Sequence, residues 1–293
     1  MGNTREATLG IAIGMKGVGK SYTTLSQIQN VLKPKYNKSG QVIAKGRKVL
    51  ILDVNNEFGN VKLDQNKDFE NIRAIALKDV KRWCYNGIIE TRRVTIFKPD
   101  GKTMTLREVA DALGVILEDF RNGLLLIEDI TKFVSDSLPS DLIGAICTNR
   151  HKSTDIIIHF QSVGKMANPK LWANCNWLRV HKTEDTVKKH ENKFGSDVTH
   201  LFLAEKLTEM KYLGGDKRFW LFVDKDMKKV FGNFSRDEFE RAVELYLEDN
   251  YTIVEKEVKR RDIRTGNLVH KNRKTAVDGI VNKYMTEHYG NNK

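Results

Sequence analysis

Thr8–Leu25 reads TLGIAIGMKGVGKSYTTL, and this stretch decides how the rest of the chain is read. It opens on a short apolar run, Leu9, Ile11 and Ile13 with Ala12 between, which predicts a buried strand. A glycine-rich loop follows, Gly14-Met15-Lys16-Gly17-Val18-Gly19-Lys20-Ser21, and a helix is predicted from Tyr22 to about Leu32. The spacing of Gly14, Gly19, Lys20 and Ser21 fits the phosphate-binding pattern G-x-x-x-x-G-K-[ST]. Glycines let successive backbone N–H groups turn inward around a polyphosphate, and the helix start behind them adds a positive dipole end. Lys20 is then placed to neutralise the β- and γ-phosphates, and the Ser21 hydroxyl to ligate Mg²⁺. The expected nucleotide-binding set is Gly14, Met15, Lys16, Gly17, Val18, Gly19, Lys20, Ser21 and Tyr22, with ATP and Mg²⁺ as cofactors.

Composition narrows the class. The 293 residues, 40% hydrophobic and 30% charged, suit a globular protein with a large core, either one α/β domain or a domain with an appendage. The longest apolar runs, such as Leu124–Ile127 and Ile156–Ile158, are too short to span a bilayer. Cys84, Cys147 and Cys175 are widely spaced and form no C-x-x-C pair, which argues for reduced thiols and against a disulfide framework or a zinc site. The start has no signal-peptide pattern, and Glu6 stands where a myristoylation motif needs Ser or Thr. A cytoplasmic location is therefore expected. Net charge is +12, and 256–283 holds nine Lys/Arg against three Asp/Glu, an excess of six and half of the total. Such a balance suits nucleic acid, other polyanions or simple solubility.

Outward from the loop, the stretch from Lys33 to Lys48 carries six basic residues and no acidic one, and reads as a loop or short hairpin. Lys48-Val49-Leu50-Ile51-Leu52-Asp53 is a second buried strand ending in an acid, followed by the turn-rich Val54-Asn55-Asn56-Glu57-Phe58-Gly59. Ile72–Leu77 and Val94–Phe97 are short strand candidates with a helix through Val80–Tyr85 between them. Thr105-Leu106-Arg107-Glu108 is a capping box that opens a helix ended by Gly123. The apolar runs at Leu124–Ile127, Ile156–Phe160 and Trp177–His181 supply further strands. Helices alternating with apolar runs predict an α/β fold with a mostly parallel sheet. Past Glu184 the pattern changes to a helix over Thr199–Leu213, a hairpin from Phe219 to Phe231 and a second capping box at Ser235–Glu238. The expected organisation is a core over 1–183, an extension over 184–250 packed on it, and a basic, flexible tail over 251–293 in which periodicity fades.

Leu124-Leu125-Leu126-Ile127-Glu128-Asp129 has the form of a Walker B strand, which delivers an acid to the Mg²⁺ edge of a nucleotide. Glu128 then takes the metal position and Asp129 the place of the residue that polarises water, with Glu57 as the runner-up base. Gln161, at the end of IIIHFQ, could hold the lytic water or sense the γ-phosphate; capping a strand is its plainer role. His159 reads as a packed, hydrogen-bonded side chain. Arg150, in Thr148-Asn149-Arg150-His151-Lys152, is a candidate arginine finger for a neighbouring subunit, or else a surface arginine. No N-K-x-D motif marks a guanine site.

The succession GMKGVGKSY, ILDVNNEFG, LLLIEDI, NRHK and IIIHFQS resembles the FtsK–HerA superfamily of ring-forming P-loop motors. Within it, the chain is most similar to viral genome-packaging ATPases and Zot-like phage proteins, over Thr8 to Lys182. The order Glu-then-Asp at the Walker B end departs from the usual Asp-then-Glu. The resemblance implies a RecA-like P-loop NTPase fold and a Mg²⁺-dependent ATPase that forms a ring, hexameric by expectation, and translocates double-stranded DNA. Capsid or portal-vertex proteins become expected partners, and the location becomes host cytoplasm or virion. Two alternatives stay open: a P-loop ATPase powering phage assembly or protein secretion, and a nucleotide switch that hydrolyses little.

Overall fold

The computed structural model describes residues 6–59, 72–98, 100–129, 140–148, 152–195 and 197–290. Along the chain these form β1 (Leu9–Ile13), α1 (Lys20–Leu32), β2 (Lys35–Tyr36), β3 (Val42–Ala44), β4 (Lys48–Asp53), α2 (Val80–Tyr85), β5 (Thr91–Thr95), α3 (Leu106–Asp119), β6 (Gly123–Ile127) and α4 (Ser140–Thr148). They continue with β7 (Asp155–Phe160), α5 (Val163–Met166), α6 (Pro169–Asn174), β8 (Trp177–His181), α7 (Val187–His190), α8 (Thr199–Leu213), β9 (Trp220–Asp224), β10 (Lys229–Gly232), α9 (Arg236–Asp249), α10 (Tyr251–Val258) and α11 (Arg273–Tyr289).

Eight strands make one sheet in the order β10-β9-β8-β1-β7-β6-β4-β5. The six strands from β8 to β5 are parallel, while β9 and β10 continue the sheet antiparallel. This is the mostly parallel, helix-flanked sheet of a P-loop NTPase, with the glycine loop leaving its central strand. Parallel strands buried on both faces need continuous apolar runs, and β1, β4, β6 and β7 are buried along their whole lengths. One face packs beneath α1 through Leu25, Ile28, Val49, Ile51, Leu126 and Ile157. The other holds the larger core, where Leu50, Leu125, Ile158, Leu178 and Leu221 meet α3, α8 and α9.

Parallel order puts every strand's C-terminal end at one edge of the sheet, where open α/β folds collect ligands. Gly14, Asp53, Glu128 and Gln161, far apart in sequence, all stand at or just beyond such ends. Because β7 lies between β1 and β6, the acid pair sits two strand spacings, about 10 Å, from the loop's strand. That is room for a phosphate chain.

The structure departs from the sequence reading in several places. Ile72–Leu77 is not a strand: Ala74 alone bridges to Arg93, and a 3₁₀ turn begins at Leu77. The strand expected at Val94–Phe97 runs instead over Thr91–Thr95, its sheet register fixed by β4. The hairpin β9–β10 does not pack on the core as an appendage but extends its sheet along β8. Most different is the stretch after Asn250. There α10 and α11 bury Val254, Ala276, Ile280, Val281 and Met285, and pack on α9 and on each other. Asn272 and Thr275 cap α11 reciprocally, which starts a helix where the charge count suggests only a solvated tail.

Candidate active site

The loop after β1 turns through left-handed backbone at Gly17 (φ 85°) and Gly19 (φ 88°), conformations that a side chain would strain. Gly19 is the N-cap of α1, so the helix's unpaired amides open directly into the loop. Lys20 folds back over it. Its Nζ donates to the carbonyls of Gly14 and, at 2.8 Å, Met15. Burial lowers the Lys20 pKa, against the opposing pull of Asp129, Glu128 and Glu57.

The acid pair meets the loop across β7. Ser21 Oγ donates to Glu128 Oε1 at 2.9 Å. Burial pushes the Glu128 carboxyl up to about 7, with the Ser21 hydrogen bond and the Lys20 charge pulling the other way. Its Oε2 is buried and has no hydrogen-bond partner among the described residues. Asp129 is held with φ at 34°, outside the usual range for a non-glycine residue, and its Oδ2 accepts from Gln161 Nε2. Sequence reading paired neither Glu128 with Ser21 nor Asp129 with Gln161 atom by atom, yet all four come together.

Glu57 reaches the same cleft for a local reason. The buried Asp53 carboxylate caps the turn after β4, accepting from the backbone N–H of Glu57 (2.9 Å) and Phe58 (3.2 Å). Arg93 Nη1 pairs with Asp53 at 3.0 Å and holds Asn56 at 2.6 Å. This fixed turn presents Glu57, whose carboxyl is raised first by burial and then by the Glu128 and Asp53 charges. Lys16, Gly17, Gly19, Lys20, Ser21, Tyr22, Asn55, Glu57, Glu128, Asp129, Gln161 and Arg218 line one cleft of about 360 Å³. Gly14, Met15 and Val18 form the loop around it. Arg150 lies outside the described residues.

Three residues of the site escaped the sequence reading. Arg218, just before β9, stands with its Cγ 3.9 Å from the place a Cβ would occupy on Gly19. Asn55 lies in the turn that Asp53 caps. Arg179 is buried behind the loop. His159 is packed and hydrogen-bonded, as the sequence predicts: its Nε2 lies 2.7 Å from Thr24 Oγ1 and its Nδ1 3.4 Å from Glu128 Oε1. Burial first, then the Arg179 and Lys20 charges, lower its pKa well below the ordinary value, so the ring is neutral.

The donors suit Mg²⁺. Ser21 and Glu128 offer two hard oxygen atoms, one carboxylate oxygen is unmatched, and Mg²⁺ in phosphate sites takes one or two protein ligands with phosphate oxygens completing its shell. Among the described residues no group of three or more His, Cys, Asp or Glu side chains forms a metal cage. A larger cavity of about 640 Å³ lies at the opposite edge of the sheet. Lys33, Lys35, Lys45 and Arg47 line it over a floor that includes Trp177 and Phe222. It contains none of the convergent acids, so its size does not make it the catalytic centre. No described helix is long and apolar enough to cross a membrane.

No protein-family model matches the sequence, and no curated protein does. The chain is similar in structure to the genome-packaging NTPase B204 of Sulfolobus turreted icosahedral virus 2 in complex with ATP-gammaS, at 14% identity and a TM-score of 0.48 over 77% of this chain and 95% of that one. It is similar to the N-terminal domain of zonular occludens toxin from Neisseria meningitidis at 14% identity, with a TM-score of 0.31 over 61% and 79%. A third similar structure is the pCW3 conjugation coupling protein TcpA with ATPgS, at 11% identity and a TM-score of 0.38 over 82% and 65%.

Proposed function

We propose that the chain is a Mg²⁺-dependent ATPase that assembles into a ring and translocates double-stranded DNA, in the setting of viral genome packaging. The observation that carries the catalytic part is the Ser21–Glu128 contact of 2.9 Å beneath the glycine loop, beside a second acid bonded to Gln161. The loop amides and Lys20 bind the phosphates. Ser21 and Glu128 would hold Mg²⁺, which supplies charge neutralisation at the β- and γ-phosphates. Asp129 takes the proton of the attacking water, oriented by Gln161, as the water oxygen bonds to the γ-phosphorus and the bond to ADP breaks. Glu57, in the same cleft, is the second candidate for that proton.

Arg150 is assigned to a neighbour's γ-phosphate, where a finger given in trans can be worth about 10³–10⁵ in rate. The DNA contacts are assigned to the basic hairpin around β2 and β3 and to the basic residues between Lys256 and Lys283. What supports this is their charge: six basic residues without an acid in the first, a net six in the second. The sequence resemblance supports the ring and the capsid or portal partner. ATP turnover measured with and without duplex DNA, alongside the mass of the protein with nucleotide, tests the reading. Turnover that rises with DNA and declines with salt, from an oligomer, is expected. Turnover indifferent to DNA would transfer the motor to a protein substrate, and none at all would leave a nucleotide switch.

A further inference from the structure

Behind the phosphate loop lies a cation without a counter-charge. Arg179 of β8 is 0% exposed and among the largest fully buried side chains. In the sheet register Ala12 of β1 stands between His159 on one side and Arg179 on the other. The small Ala12 methyl lets both long side chains converge beneath α1. There the guanidinium donates from Nη1 to Gln27 Oε1 at 2.8 Å, and from Nη2 to the Lys20 carbonyl at 3.1 Å and to Thr24 Oγ1. All three acceptors are neutral, and the buried Nε has no partner. No carboxylate pairs with Arg179 among the described residues. Burial lowers the Arg179 pKa to about 9.

This placement opposes folding in three ways. A buried ion without a partner carries a large desolvation cost. It sits under the first turn of α1, where the helix dipole is already positive and the helix itself carries no acidic residue. It also stands beside a second cation, Lys20. Hydrogen bonds to neutral oxygens satisfy the guanidinium's donors but leave its charge unbalanced. A polyphosphate in the loop balances all three at once, because the phosphates and the guanidinium flank the same helical turn.

Resting on the nucleotide-site reading above, we propose that Arg179 is a positioning residue for polyphosphate: it touches no ligand atom, and its buried charge makes affinity depend on how many phosphates the nucleotide carries. A purely structural arginine would brace β8 against α1 and affect every nucleotide alike.

The test is calorimetric titration of the full chain with ATP, ADP and AMP, for the wild type, Arg179→Met, Arg179→Lys and Lys20→Ala, together with each protein's Tm without nucleotide. For charges about 10 Å apart at an effective dielectric of about 20, each phosphate charge is worth about tenfold or more, so Arg179→Met should weaken ATP about tenfold more than ADP and ADP about tenfold more than AMP. Its Tm without nucleotide should equal or exceed that of the wild type. Arg179→Lys, which keeps the charge and loses the fork, should retain the wild-type ratio of ATP to AMP affinity. Equal losses for the three nucleotides, no loss, or an Arg179→Met protein that fails to fold alone would each overturn the proposal. If the wild type and Lys20→Ala both bind none of the three, the nucleotide-site reading itself falls. If the wild type binds, Lys20→Ala does not, and Arg179→Met matches the wild type, only the role of Arg179 is lost.

Discussion

Glu128 and Asp129 are neighbours in sequence, yet the structure gives them different company, Ser21 for one and Gln161 for the other. Different phenotypes follow. Asp129→Asn should bind ATP with little change and turn it over about 10²–10⁴-fold more slowly, the usual worth of a positioned acid–base group. Full activity in that variant with loss in Glu57→Gln would move the base to Glu57. Glu128 also carries a pH signature in the protein without nucleotide. Its carboxyl, ordinarily near 4.5, is raised to about 7 by burial, so between those values the folded chain keeps a proton that the unfolded chain releases. The protonated form's stability is fully present below about 4.5 and is lost as pH rises through about 7. Glu128→Gln removes the penalty, so its Tm should exceed the wild type's at pH 8 and converge on it near pH 4.5. A constant difference across that range would contradict the buried, raised carboxyl. Lys20, Ser21 and the acids were legible in sequence because a motif fixes their spacing on one loop and one strand end. Arg179 was not, since its role comes from register: nothing in the sequence sets it beside Ala12 and under Thr24.

Elements with strong local signals were read closely. The capping boxes at Thr105 and Ser235 open α3 and α9 as expected, because their reciprocal hydrogen bonds are set within four residues. Where tertiary contacts decide, local reading failed. Ile72–Leu77 has the composition of a strand, but it pairs with the edge strand β5 at a single bridge, Ala74 to Arg93. The tail misled in the opposite sense. Arg273, Lys274 and Lys283 dominate its charge and Gly279 interrupts its middle, while Ala276, Ile280, Val281 and Met285 form an inner face that becomes visible only with α9 and α10 to cover it. Met285→Ala should therefore cost about 2–4 kcal/mol, within the range for buried large-to-small changes, and lower Tm by several degrees. An unchanged Tm would mean that α11 contributes nothing to the core and that the tail behaves as its charge suggested.

At the scale of the molecule, a parallel sheet converts sequence order into spatial convergence. The ends of β1, β4, β6 and β7 fall at one edge, so Lys20, Ser21, Glu57, Glu128, Asp129 and Gln161 meet in one cleft. Further basic charge gathers elsewhere, on the β2–β3 hairpin and in the segment from Lys256 to Lys283, while the cleft itself sets Lys16, Lys20 and Arg218 against Glu57, Glu128 and Asp129. The whole account rests on that edge being a site of ATP hydrolysis. The most direct measurement is phosphate release from ATP·Mg²⁺ by the wild type and by Lys20→Ala, each with its Tm recorded with and without nucleotide. Lys20 is the cation that the proposed function sets against the phosphates. The wild type should release phosphate and gain thermal stability from ATP·Mg²⁺, and Lys20→Ala, folded, should do neither. Equal turnover by the two proteins would contradict the account at its centre.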